Sequence, residues 1–317
     1  MKKYTVLALT TSLVTAVVLG ISTIGLFAKN THITYKLENG KNYIEIGALA
    51  RKVDIESDST LSDFTLSINS KSKDLTINFN GDVGEYFASG TPLIKSKGKL
   101  TLNFVTKSDI SITAADNCSA IIADTVYIKT QSNLSIFGSD GSSGQDGETG
   151  KSGSNGNEFD GGYKNAGNGT NDTDGTDGFA AISCKTLYLV NDYEYLFRSD
   201  NGGNGGNGGK GGSGPNDSWL FFSTVVAANA GNGGNGGNGG NGGSYGGIEH
   251  IYNFKNDDLA FKEVFYFAGL GGKGGKGGVA GTPGTVTNTS IFDHSTVTGK
   301  EGKNGNDGQD GINGQNI

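Results

Sequence analysis

The chain has 317 residues and a formal charge of −7, from 25 basic and 32 acidic side chains, and 56 of its residues are glycine. Three prolines are too few for a collagen-type triple helix, which needs abundant proline beside its glycine. Arg51 and Arg198 are the only arginines and no clustered basic face is visible, so a nucleic-acid-binding protein is not expected.

At the N-terminus, Lys2 and Lys3 precede an uncharged stretch over residues 4–28. It is longer than a signal-peptide core and long enough to cross a bilayer as one helix. Residues 1–28 therefore read as a signal peptide ending near Ala28 or as an uncleaved membrane anchor. In both cases the two lysines stay inside and the remainder lies outside the membrane, secreted or anchored.

Residues 29–137 read as a strand domain. FTLSINS, LTINFNG, LTLNFVT, ISITAAD, TVYIKT and LSIF alternate apolar and polar positions and are punctuated by Asp, Asn, Ser and Gly. No stretch carries a helical period. One internal match selects among strand architectures: AIIADTVYI (Ala120 to Ile128) aligns without gaps to AISCKTLYL (Ala181 to Leu189). Ala, Ile, Thr and Tyr recur in register, as stacked units that share one core require. The expected fold is all-β, opening with a parallel β-solenoid.

Residues 138–317 are organised by glycine. Residues 1–137 contain 8 glycines and residues 138–317 contain the other 48. Strict three-residue spacing holds over Gly138–Gly156, Gly202–Gly214, Gly231–Gly246, Gly269–Gly284 and Gly299–Gly314. In the middle three tracts a second glycine joins each triplet, as in NGGNGGNGGKGG. The stretch 157–178 between the first two reads as irregular. A flexible linker has no need of phase. A polyglycine-II helix does, because it turns once in three residues, rises ~3.1 Å per residue and leaves its backbone groups for neighbours. The doubled stripes predict interior tracts, and the single stripes at 138–156 and 299–314 predict rim tracts. Aromatic strand segments return between the tracts.

Candidate chemistry is sparse. The G-x-S-x-G around Ser244 lacks the following helix of a nucleophile elbow, and Gly150-Lys151-Ser152 lacks the rest of a P-loop. NDTDGTDG places Asp172, Asp174 and Asp177 in a glycine-turned stretch. These are candidate calcium ligands, although the spacing misses the EF-hand pattern. His32, His250 and His294 are scattered. Cys118 and Cys184 either form one disulfide or pack as small buried side chains. No catalytic set is expected. The candidate ligand-binding residues are aromatic: Trp219 and Phe221 beside the turn at Pro215, and Tyr245 at the end of the longest tract. Phe222 and Phe265 read as core.

The runs NGGNGGNGGKGG and NGGNGGNGGNGG resemble polyglycine-II bundle proteins: the receptor-binding adhesins of phage tail fibres, glycine-rich mycobacterial surface repeats and the snow-flea antifreeze proteins. The resemblance covers residues 138–317. It implies a polyglycine-II bundle with interleaved strands, and a surface protein rather than an enzyme. The expected function is a cell-surface structural or adhesive element recognising a glycan or protein receptor through its rim. A β-solenoid enzyme or binding protein for polysaccharide, and an ice-binding protein, are the rival readings.

Overall fold

The structure, a computed structural model, describes residues 32–88, 90–154, 156–157, 164–190, 193–219, 225–243, 248, 250–255, 258–259, 265–288 and 295–314. The N-terminal hydrophobic segment lies outside them. No helix occurs among the described residues, and none is long and apolar enough to cross a membrane. The chain is all-β, with sheets that are mainly parallel.

Three sheets carry the core, and the chain visits them in rotation. The first runs from His32–Lys36 through Lys52–Ser57, Asp74–Gly81, Lys99–Phe104, Thr125–Thr130, Thr186–Val190 and His250–Lys255, all parallel, to a short antiparallel strand at Asp258–Leu259. The second holds Gly40–Ile46, Phe64–Ser70, Ile94–Ser96, Ile121–Ile122 and Ile182–Ser183. The third holds Glu85–Phe87, Ile110–Thr113, Leu134–Phe137, Tyr195–Arg198 and Phe265–Phe267.

Alternation aims every second side chain inward, and parallel register stacks like on like. Val53, Ile77, Leu102, Ile128 and Leu189 form one ladder of fully buried side chains in the first sheet. Ile44, Ile68, Ile94, Ile121 and Ile182 form another in the second. Each such side chain contributes about 1.5–3 kcal/mol on burial. The internal sequence match coincides with the pairing: Ile121 lies beside Ile182, Thr125 beside Thr186 and Tyr127 beside Tyr188. All three sheets continue past residue 137, so the expected boundary there does not divide them.

The glycine tracts leave this core at one corner. Leu134–Phe137, Tyr195–Arg198 and Phe265–Phe267 are parallel neighbours in the third sheet, and each runs straight into a tract. Gly138 N–H donates to Arg198 C=O and Ser199 N–H to Phe267 C=O, both at 2.8 Å, so the ladder passes without a break into the tracts. Tracts at 138–153, 200–214 and 269–284 lead away from the core. Tracts at 166–179, 228–243 and 299–314 run the other way. The outgoing tracts form one layer and the returning tracts a second, with hydrogen bonds within and between layers.

The tract at 228–243 shows how one triplet is satisfied. Gly233, Gly236, Gly239 and Gly242 donate within the layer, to Lys303, Asn306, Gln309 and Ile312 C=O. Gly234, Gly237 and Gly240 donate across the layers, to Gly209, Gly206 and Gly203 C=O. The N–H of the third residue, at Asn235, Asn238 and Asn241, goes to the side-chain Oδ1 of Asn171, Asp174 and Asp177. The asparagine of the triplet thus replaces a missing backbone acceptor, and every N–H of the repeat is paired.

Glycine is required here for space. A Cβ on Gly275 would lie 1.6 Å from Gly206 O, and one on Gly234 1.9 Å from Thr170 O. Positive φ does not enter: among described residues, glycines with positive φ are Gly40, Gly81 and Gly90, all outside the tracts. Gly234, Gly237, Gly240, Gly272 and Gly275 are buried, while the glycines of 141–153 and 299–314 are half-buried. The doubled stripes at 200–214 and 228–243 are inside and the single stripes at the rim. The doubled stripe at 269–284 instead forms the edge of the outgoing layer, where Gly271, Gly274 and Gly277 N–H meet side chains in place of a further tract.

The stretch expected to be irregular contains a sixth tract, at 166–179. Threonine hides its phase: Thr170, Thr173 and Thr176 stand where the inner tracts have glycine. At this outer edge no further tract excludes a side chain. Their Oγ1 atoms accept the N–H groups of Glu148, Gln145 and Ser142, each at 2.7 Å. The opposite edge is closed by Asp307 and Asp310, which accept from Gly277 and Gly274 N–H at 2.8 and 2.9 Å and meet Lys276 and Lys273 Nζ at 3.0 Å. These backbone bonds first, then the lysines, hold both carboxyls below the usual range. Any support they lend the edge is present at neutral pH and is lost as pH falls through those lowered values.

Gly275→Ala is expected to cost about 3 kcal/mol or more in denaturant unfolding, by forcing backbones apart. The exposed Lys273→Ala should cost under about 1 kcal/mol. Asn235→Asp should be tolerated, since Asp174 and Asp177 fill the equivalent role. Asn235→Ala should cost about 1 kcal/mol by orphaning the N–H of Asn306.

Candidate recognition surface

The outward residues of the first sheet are mostly polar or aromatic and lie in rows set by the register. One row reads Lys52, Thr76, Thr101, Tyr127, Tyr188 and Tyr252. Tyr127 and Tyr188 stack with ring centroids 4.1 Å apart and planes at 8°, and Tyr188 and Tyr252 follow at 5.0 Å and 15°. Lys99 covers the free end of this stack, its Nζ 4.4 Å from the Tyr127 centroid. At the other end His250 lies 6.1 Å from the Tyr252 ring. Tyr252 is exposed, and Tyr127 and Tyr188 are half-buried against one another. The hydrogen bond between Tyr188 and Tyr127 is the main cause raising the Tyr188 hydroxyl pKa.

On the three strands that precede the stack, one row over, runs an amide ladder. Asn103 Nδ2 donates to Asn78 Oδ1 at 2.7 Å, and Asn78 Nδ2 to Asp54 Oδ1 at 2.5 Å. His32 Nε2 meets Asp54 Oδ2 at its end. At the ~4.8 Å spacing of paired strands, the row from Lys52 to Tyr252 spans roughly 24 Å. Lysine and threonine form the first half of the row, flanked by the amide ladder, and tyrosine forms the second half, flanked by Lys129 and Val190. Elsewhere, a cleft of about 310 Å³ lies between Ser59, Asp63, Phe64, Asp82, Glu85 and Phe87.

The residues singled out from sequence fare unevenly. Trp219 ends a strand, Asn216–Trp219, paired with Thr285–Asn288; its side chain lies outside the description. Phe221, Phe222, Ser244, Tyr245 and His294 lie outside the described residues, as does the side chain of Phe265. Tyr127 and Tyr188 were visible in the sequence as a repeat. Their meeting with Tyr252 was not, because 61 tract-bearing residues separate Tyr188 from the next strand's HIYNFK.

The three carboxylates of NDTDGTDG are not gathered into one cluster. No cluster of His, Cys, Asp or Glu suited to a metal occurs among the described residues. Asp174 and Asp177 are spaced along one tract and committed to Asn238 and Asn241 N–H. Asp172 falls on a different phase, in the row of Gly169, Gly175 and Gly178. Its N–H bond to Asn235 C=O stretches to 3.5 Å, where Gly169 and Gly175 make theirs at 2.8 Å, and its Oδ2 is buried without a partner. Neighbouring bonds lengthen with it, Gly206 to Thr173 at 3.1 Å and Gly237 to Gly206 at 3.2 Å. Asp172 is a packing defect in a glycine row.

Nor do the cysteines pair. Cys118 and Cys184 are both free and buried. Cys118 Sγ donates to Ala115 C=O at 3.1 Å, and Cys184 belongs to the aliphatic core. Burial raises the Cys118 thiol pKa and pushes Cys184 up to about 12. The apolar repeat places them as packing residues.

Compared with protein-family models, curated proteins and solved structures, the chain matches none.

Asp172→Gly is expected to raise the melting temperature, corresponding to about 1–2 kcal/mol, by restoring the short bonds and removing a buried carboxylate oxygen that has no partner. Added calcium should leave the melting temperature of the parent unchanged. In mildly alkaline buffer, Cys184 should resist iodoacetamide in the folded protein and react in denaturant, as read by intact mass.

Proposed function

We propose that this chain is a cell-surface structural and adhesive protein that displays a rigid glycan-binding strip. The observation carrying the reading is the solvent-facing stack of Tyr127, Tyr188 and Tyr252, with the Asp54–Asn78–Asn103 amide ladder on the preceding strands of the same face, one row over. Aromatic side chains on an outward face add nothing to the core. Exposed ring edges, with fixed amides further along the same face, suit the alternating apolar and hydroxyl surfaces of an extended saccharide. An outward row about 24 Å long favours a chain of several sugars over a small molecule in a pocket.

The architecture supports the same reading. The rotation through three parallel sheets is that of a β-solenoid, and the layered tracts pair as polyglycine-II helices do, leaving their backbone groups to neighbours at a three-residue period. Such a body is stiff and holds an outward surface in place. The uncharged segment 4–28, behind Lys2 and Lys3, would deliver it to the outside of the membrane and either release it or hold it there.

Glycan-array binding of the parent tests the proposal. Tyr188→Ala should weaken binding about tenfold while leaving the fold intact by circular dichroism. Trp219→Ala forms a second arm. If Trp219→Ala abolishes binding and Tyr188→Ala does not, recognition belongs to the rim rather than the strip. No binding to any glycan would overturn the adhesive reading.

A further inference from the structure

The tracts at 200–214 and 228–243 repeat Asn-Gly, the dipeptide in which an asparagine amide is most readily lost. The glycine nitrogen, with no Cβ beside it, gives up its proton and attacks the asparagine Cγ. Ammonia leaves and a succinimide closes. Water then opens the ring to aspartate or to isoaspartate, whose main chain runs through the former side chain. An exposed chain with this many Asn-Gly steps would accumulate such products.

The layered tracts hold both reacting atoms. Asn235 Oδ1 accepts the N–H of Asn306 at 3.0 Å, while the next residue, Gly236, donates its N–H to the C=O of that same Asn306 at 2.8 Å. Asn204-Gly205 grips Lys273 in this way, at 2.8 Å on both sides. Asn238-Gly239 grips Gln309 at 2.9 and 2.8 Å. In each clamp the nucleophilic nitrogen is engaged with a neighbouring carbonyl. The carboxamide cannot swing back onto its own backbone without releasing the N–H it accepts.

We propose that the layered tracts protect their own Asn-Gly steps chemically, so that conversion occurs only where a tract has opened. The two products would then differ in consequence. Aspartate keeps the acceptor, as Asp146, Asp174 and Asp177 do where they accept from Asn207, Asn238 and Asn241 N–H. Isoaspartate adds a main-chain carbon and destroys the three-residue phase for every later triplet of that tract. Opening is therefore read out as irreversible loss of re-formation.

Asn80-Gly81 supplies an internal reference, since the Asn80 side chain makes no hydrogen bond among the described residues. The full chain is incubated in mildly alkaline buffer, folded and in denaturant, and its peptides are mapped by mass spectrometry that separates aspartate from isoaspartate. In the folded protein Asn80 should convert at least about tenfold faster than Asn204, Asn235 and Asn238, because conversion of these waits on local opening. In denaturant the four should converge. Equal conversion of Asn80 and the clamped asparagines in the folded protein would overturn the proposal. So would resistance that persists in denaturant, which would place the protection in local sequence.

Discussion

The ladder of the third sheet is passed, unbroken, into the first layer of glycine tracts. Phe137, Arg198 and Phe267 sit side by side because the aliphatic core fixes their strands in register. The residue after each strand inherits that alignment. Gly138 and Ser199 continue the same backbone bonds, and everything beyond them is placed by extension. Isolated glycine-rich segments would have to meet their neighbours against the largest conformational entropy cost of any residue type. Here the apolar core brings the tracts together, and the hydrogen bonds between them add to an alignment already made.

Two different devices hold the two parts. In the three sheets, side chains fill space, and stacked Ile, Leu, Val and Phe remove apolar surface from water. In the tracts, side chains are excluded, and backbone meets backbone so closely that a Cβ would overlap a carbonyl oxygen. The asparagine of each triplet belongs to this second device. It supplies the acceptor that two glycines cannot. Polar side chains also end the array: Thr170, Thr173 and Thr176 at one edge, Asp307 and Asp310 at the other, each occupying the place a further tract would take. Edges closed by side chains keep an otherwise extendable array finite, as capping units do in repeat proteins.

A body built this way leaves little scope for a deep site. Its interior is filled by aliphatic ladders on one side and by close-packed backbone on the other. What it offers outward is order: side chains repeated at the strand spacing across the first sheet, and at three-residue intervals along the tracts. The tyrosine stack is the part of that surface where aromatic area and exposure coincide. The carboxylates that looked like ligands in NDTDGTDG serve the array instead, two as acceptors in the asparagine role and one, Asp172, as a misfit.

The amino-acid sequence by itself determined the all-β character and the recurrence of one unit, through alternation and through the match of Ala120–Ile128 to Ala181–Leu189. It also determined how closely each tract can be approached, because a doubled glycine stripe allows close neighbours on two sides and a single stripe allows fewer. Both are periodicities of the chain, and periodicity is local information. It did not distinguish the interior tracts at 200–214 and 228–243 from the one at 269–284, which closes a layer edge. Tertiary structure decided which tract lies beside which, since that follows from the sheet register at a corner where three distant strands meet. It decided that 166–179 is a tract, because threonine is compatible with the phase only at an edge. It also decided that Tyr252 completes a stack begun by Tyr127 and Tyr188, since only the parallel first sheet brings these three residues to one row.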